Sequence, residues 1–126
     1  MELNPTAFNY LKRNVDLNAR ALKGKIIPIH GDVRDVVKQL PSCDRVLMPS
    51  PKGGEDFLDC AFSICKPKGV IHFYQFAPDS NLYSGALSKI KEAANRAGRH
   101  VRILNKKVVR PYAPRVSQIV IDFEVR

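Results

Sequence analysis

The residues best placed to do chemistry are a carboxylate and the glycine before it. In Ile26-Ile27-Pro28-Ile29-His30-Gly31-Asp32 an apolar run with the makings of a buried strand stops at a Gly-Asp step. Small ligands of open α/β sheets are met just outside the carboxyl ends of strands. Asp32 therefore reads either as a cofactor ligand or as the N-cap of a helix starting near Arg34, and spacing alone favours the cap. His30 and His72 have no partner at a spacing that suggests a metal site or a triad, which leaves them as packed or hydrogen-bonded histidines. Ser42, Ser50 and Ser63 lack the glycines of a nucleophile elbow. Cys43, Cys60 and Cys65 are odd in number and contain no C-x-x-C pair, so neither a disulfide framework nor a zinc site is signalled. Free thiols in a reducing compartment are the simplest reading. No metal is expected, and no residue stands out as the catalytic one.

The binding chemistry is clearer. The 126 residues carry 21 Lys+Arg against 12 Asp+Glu, a formal net charge of +9. Such an excess suits a polyanionic partner, nucleic acid first, and equally a soluble surface that is merely basic; charge alone does not choose between them. Lys52, in a loop after an apolar segment, and Arg110, beside Pro111-Tyr112, are candidates for phosphate contacts. Tyr112, close to two prolines, is placed either to stack on a base or to fill an apolar gap. No apolar run approaches a membrane span, and the first residues do not form a basic segment feeding an apolar one, so a cytoplasmic protein is expected.

The elements that must position these residues follow from periodicity. Asn4-Pro5 is a cap and first-turn pair, and Phe8, Leu11 and Val15 recur at helical spacing behind it. After the Ile26–His30 strand, Arg34 to Leu40 reads as a short helix and Asp44 to Met48 as a strand. The latter feeds Pro49-Ser50-Pro51-Lys52-Gly53-Gly54, a loop stiff in its first half and permissive in its second. A helix from Glu55 to Ile64 is followed by a turn at Lys66-Pro67-Lys68-Gly69 and a central strand from Val70 to Phe76. A helix over Ser84–Ala97 points Ala86, Ile90, Ala93, Ala94 and Ala97 inward and stops at Gly98. Strands at Val101–Val109 and Val116–Val125 close the chain, joined by a long rigid loop, Arg110–Arg115. This order predicts a single α/β domain over residues 1–126, with a mostly parallel sheet ending in an antiparallel strand pair and its first strands missing.

Five ordered motifs carry a family resemblance: Glu2-Leu3-Asn4-Pro5, Gly31-Asp32-Val33-Arg34, Asp44 to Met48, Gly69 to Tyr74, and Arg110 to Pro114. Over nearly its whole length the chain resembles the C-terminal catalytic half of the archaeal and eukaryotic tRNA (guanine-N1)-methyltransferases. These class I enzymes use S-adenosylmethionine on the guanosine 3′ of the anticodon. It is similar as well to the wybutosine-synthesis transferase, which moves the aminocarboxypropyl group of the same cofactor. The resemblance implies a partial Rossmann-like fold and a tRNA partner. It implies that Glu2 accepts from the cofactor ribose hydroxyls, that Asn4 shapes the adenosine pocket, and that Asp32 faces the adenine amino group with the Val33 backbone at the ring edge. Pro51, Lys52, Arg110 and Tyr112 fall on the substrate side.

Two departures from the family pattern bear on activity. The glycine-rich turn for the methionine part of the cofactor belongs ahead of Glu2, where the 126 residues have only Met1. The expectation is a portion of such an enzyme, cut from a longer protein or encoded as a truncated paralogue and inactive by itself. Exposed sheet edges also make a homo-oligomer or a non-catalytic RNA-binding fragment an alternative. The second departure is Pro49-Ser50-Pro51, where the methyltransferases have Asn-Leu-Pro. Pro49 has neither a side-chain amide nor a backbone N–H, which leaves aminocarboxypropyl transfer open.

Overall fold

The computed structural model describes every residue from Met1 to Arg126. The backbone resolves into two compact units, Met1–Leu40 and Pro41–Arg126.

In the first unit, helix α1 spans Pro5–Asn18 and starts as its sequence dictates. Asn4 is the N-cap, with Oδ1 accepting from Thr6 N at 2.9 Å and Ala7 N at 3.2 Å. Pro5 takes a first-turn position, where its missing N–H costs nothing. A short helix, α2 (Val33–Val36), runs on as a 3-10 turn over Val37–Gln39. The Ile26–His30 run does not become a buried strand. It makes one isolated parallel bridge, Glu2 to His30, and Ile26 and Ile27 stand 48% and 63% exposed. A strand needs a ladder partner along its length, and Pro28 removes a donor from the middle of this one.

The second unit is a four-stranded sheet in the order β1-β2-β4-β3, with β1 Cys43–Met48, β2 Cys65–Pro78, β3 Val101–Ala113 and β4 Val116–Val125. Its parallel component is the β1–β2 ladder; β2–β4 and β4–β3 are antiparallel. The antiparallel pair expected at the end of the chain thus forms, and its last strand inserts between β2 and β3. Helices α3 (Leu58–Ile64), entered through a 3-10 turn at Gly54–Phe57, and α4 (Ser84–Arg96) belong to the same unit. Their apolar positions Leu58, Phe62, Ile90 and Ala93 form one core with Ile71, Phe73, Ile121 and Phe123 of the sheet. Ala97, expected inward, is exposed, because the helix closes at Arg96 and Gly98 adopts φ 63°.

Two expected loops are absorbed into strands. Lys66-Pro67-Lys68-Gly69 is an irregularity inside β2: the β1 register jumps from Cys43–Cys65 to Arg45–Val70, and Lys68 sits at φ 66°. Gly69 is required there. A Cβ on it would lie 2.6 Å from Cys65 Sγ, 2.9 Å from Lys66 O and 3.1 Å from Asp44 O. Gly69→Ala is expected to destabilise the unit by about 1–3 kcal/mol, read as a drop of several degrees in Tm. Arg110–Ala113 is likewise the end of β3, not loop; the hairpin turn is only Pro114-Arg115, with Arg115 at φ 60°.

An ion pair ties α4 to the 3-10 turn before α3. Lys89 Nζ lies 2.7 Å from Glu55 Oε1, and that hydrogen bond holds Glu55 below the ordinary carboxylate value of 4.5 against the opposing effect of desolvation. A carboxylate depressed on folding contributes stability that is complete above its unfolded value and is lost as pH falls through the folded one. Urea midpoints are therefore expected to fall below about pH 4.5, and more shallowly in Glu55→Gln than in the parent.

Candidate functional site

The first unit brings the four expected cofactor residues together. Glu2 N–H donates to Ile29 O and Gly31 N–H donates to Glu2 O, both at 3.0 Å, so Glu2 lies in parallel pairing beside the segment that ends at Asp32. His30 Nε2 is 3.0 Å from Leu3 O, and its ring packs on Phe8 at a centroid distance of 5.1 Å. These contacts fix the start of α1 against the Gly-Asp step. Glu2 Oε1 accepts from Asn4 N at 2.8 Å, and Asp32 Oδ1 accepts from Arg34 N at 2.8 Å. The cap reading of Asp32 is thus realised through one oxygen of a carboxylate that has two. Val33 opens α2 directly after it. Gly31 adopts φ 143°, and a Cβ there would come within 2.9 Å of Val36 Cγ2, so the turn presenting Asp32 depends on glycine.

The residues expected on the substrate side all belong to the second unit. Pro51 O accepts from Phe76 N at 3.4 Å, which lays the loop after β1 along the last residues of β2. Phe76 stacks on Tyr112, with centroids 3.9 Å apart and planes at 26°. Arg110 Nε donates to Gln118 Oε1 at 3.0 Å, in the row that pairs Phe76, Gln118 and Arg110 across three strands. Lys52 is exposed, and its carbonyl accepts from Ser50 Oγ at 3.1 Å. Pro51, Arg110 and Tyr112 therefore converge on Phe76, while Lys52 stands beside them on the loop. Phe76 and Gln118 were missed from the sequence because strand register brings them in; only the aromatic at position 76 was a visible signal.

His72 belongs to a different arrangement on the same sheet. Arg45 Nη1 lies 2.9 Å from its Nε2, and Asp122 Oδ1 lies 2.7 Å from its Nδ1. Arginine can only donate, so Nε2 accepts and Nδ1 carries the proton to Asp122. Asn105 Nδ2 donates to the second Asp122 oxygen at 3.3 Å. The imidazole is a cross-strand link among β1, β2, β4 and β3, consistent with a hydrogen-bonded histidine.

The family model for the TRM5/TYW2 methyltransferase domain matches residues 1–104. The chain belongs to the TRM5/TYW2 methyltransferase family. Within it, the tRNA (guanine(37)-N(1))-methyltransferase Trm5b of Pyrococcus abyssi is 40% identical over 124 residues, covering 98% of this chain and 36% of that protein. The tRNA(Phe) (4-demethylwyosine(37)-C(7)) aminocarboxypropyltransferase of Methanocaldococcus jannaschii is 33% identical over 123 residues, covering 97% of this chain and 47% of its own length. Among solved structures, M. jannaschii TYW2 in complex with AdoMet superposes with a TM-score of 0.89 at 33% identity, over 98% of this chain and 55% of that one. The complex of aTrm5 with tRNALeu superposes with a TM-score of 0.81 at 34% identity, over 98% and 33%. The chain thus spans between about a third and just over half of the length of these TRM5/TYW2 relatives, and its architecture is that of the matching part of a class I methyltransferase. No helix is long and apolar enough to cross a membrane.

Proposed function

We propose that this chain is a portion of the catalytic domain of a cytoplasmic, S-adenosylmethionine-dependent enzyme that methylates N1 of guanosine 37 in tRNA. The two units together make up part of one methyltransferase-like domain. The observation that carries the reading is the pairing of Glu2 with His30, which sets two carboxylates, Glu2 and Asp32, at the ends of neighbouring backbone segments.

The residues fit the adenosine end of the cofactor. A ribose diol and an adenine amino group are donors, and each carboxylate keeps a second acceptor oxygen beside the one used locally. Glu2 would hold the ribose hydroxyls, Asp32 the adenine amino group, and Asn4 and Val33 the walls of that pocket. When bound, the sulfonium supplies an electrophilic carbon to the target base. The protein's task is then orientation of the two reactants, with Pro51, Lys52, Arg110 and Tyr112 on the RNA side. The open edge of β1 supports pairing with a second copy.

A second reading, aminocarboxypropyl transfer, is favoured by Pro49, which has no amide to offer the base. A chimera in which these 126 residues replace the matching segment of P. abyssi Trm5b separates the readings. Nucleoside mass spectrometry of treated tRNA is expected to show a methyl group at guanosine 37, whereas the isolated chain is expected to give no transfer. An aminocarboxypropyl product would select the second reading, and an inactive but folded chimera would sink both.

A further inference from the structure

The sheet has helices α3 and α4 on one face only; the other is where cations and aromatics interleave. Cross-strand partners share a face, so Tyr74, Val120 and Lys107 form one row and Phe76, Gln118 and Arg110 the next, with Tyr112 stacked over Phe76. On this face Arg102 is paired with Glu124 at 3.0 Å and Asp122 is engaged by His72 and Asn105, while Lys106 falls on the opposite face over the Tyr83 ring, which leaves Lys107 and Arg110 as the cations in the rows nearest Tyr112. Lysines on an exposed edge strand are also a known guard against strand pairing, which accounts for Lys106 and Lys107. It does not account for Tyr112.

Tyr112 is 60% exposed, yet it is held. One ring face lies on Phe76 at 3.9 Å, Pro111 precedes it, and the turn Pro114-Arg115 follows one residue later. Arg110 is fixed through Nε by the buried Gln118, which leaves its terminal amino groups without a partner, and Lys107 has none at all. A rigid aromatic with one open face among unpaired cations is a surface that takes a nucleobase and its phosphates. Ala113 and Val116 close the hairpin opposite Pro78, so this surface lies at the carboxyl end of β2, next to the loop that carries Pro51 and Lys52.

We propose that Tyr112, backed by Phe76, is a stacking shelf for an unpaired nucleobase of the RNA substrate, with Lys107 and Arg110 holding the adjoining phosphates. The proposal rests on the RNA-modifying reading above, but its test does not depend on transfer. A fluorescein-labelled single-stranded RNA heptamer is titrated into the 126-residue chain at several salt concentrations.

Tyr112→Ala is expected to weaken binding about 5- to 150-fold, as for loss of one base–aromatic stack, and Tyr112→Phe to stay within about twofold. Lys107→Gln should lower the salt slope by about 0.7, and Lys91→Gln on α4 should change neither affinity nor slope. A heptamer of abasic residues should bind the parent chain only as well as it binds Tyr112→Ala. Unchanged binding in Tyr112→Ala, an equal loss in Tyr112→Phe, or absence of RNA binding with self-association through this face would each overturn the shelf. Loss of the shelf with an active chimera, or the reverse, tells the two proposals apart.

Discussion

Phe123→Ala is expected to cost the second unit about 3–5 kcal/mol. Phe123 is fully buried and packs on Phe62 of α3 at a centroid distance of 5.8 Å. It lies on β4, an internal strand hydrogen-bonded on both sides, opposite Ile71 of β2 and Ile103 of β3. Removing the ring leaves a cavity that neither ladder can close by shifting, because register is pinned on both edges. Domains are stable by only about 5–15 kcal/mol, so much of the folded population is at risk. Circular dichroism melts should show the loss, with Phe123→Leu much closer to the parent. Phe8→Ala in the first unit should cost far less, since no residue of Met1–Leu40 is buried. Equal effects at both positions would contradict this account of where the core lies.

Asp32→Asn is expected to leave stability almost unchanged and to weaken adenosine binding about 10- to 150-fold. Asparagine caps helices as well as aspartate does, and its single side-chain oxygen would take the Arg34 N–H that Asp32 Oδ1 now accepts. In the proposed adenosine pocket the other end of the side chain then becomes an amino group facing the adenine amino group, donor against donor. The lost contact is one to a charged acceptor, worth about 1.5–3 kcal/mol. Asp32→Ala should show the same loss and a further destabilisation of about 1 kcal/mol from the missing cap. Calorimetric titration of adenosine into the Trm5b chimera reads the affinity, and its melting temperature reads the cap. Wild-type affinity in Asp32→Asn would make Asp32 a helix cap and nothing more.

The sequence by itself determined the local chemistry and most of the elements. Asn4-Pro5 predicts the start of α1 because cap geometry is set within a few residues. The alternation of Ile119, Ile121, Phe123 and Val125 predicts the buried face of β4 because side chains in a strand alternate. The ordered motifs were enough to place the chain in its family. Tertiary structure decided what depends on partners distant in the chain. The apolar run Ile26–His30 reads as a strand, but a strand exists only where a neighbour pairs with it, and here Glu2 alone does. Arg110–Ala113 reads as a loop because of its prolines, yet β4 draws it into β3 as an edge strand, where a missing N–H is tolerated. Asp32 was legible as either cap or ligand. The fold shows it capping with one oxygen while the Glu2–His30 bridge sets a second carboxylate near the same turn, an arrangement no spacing along the chain could specify.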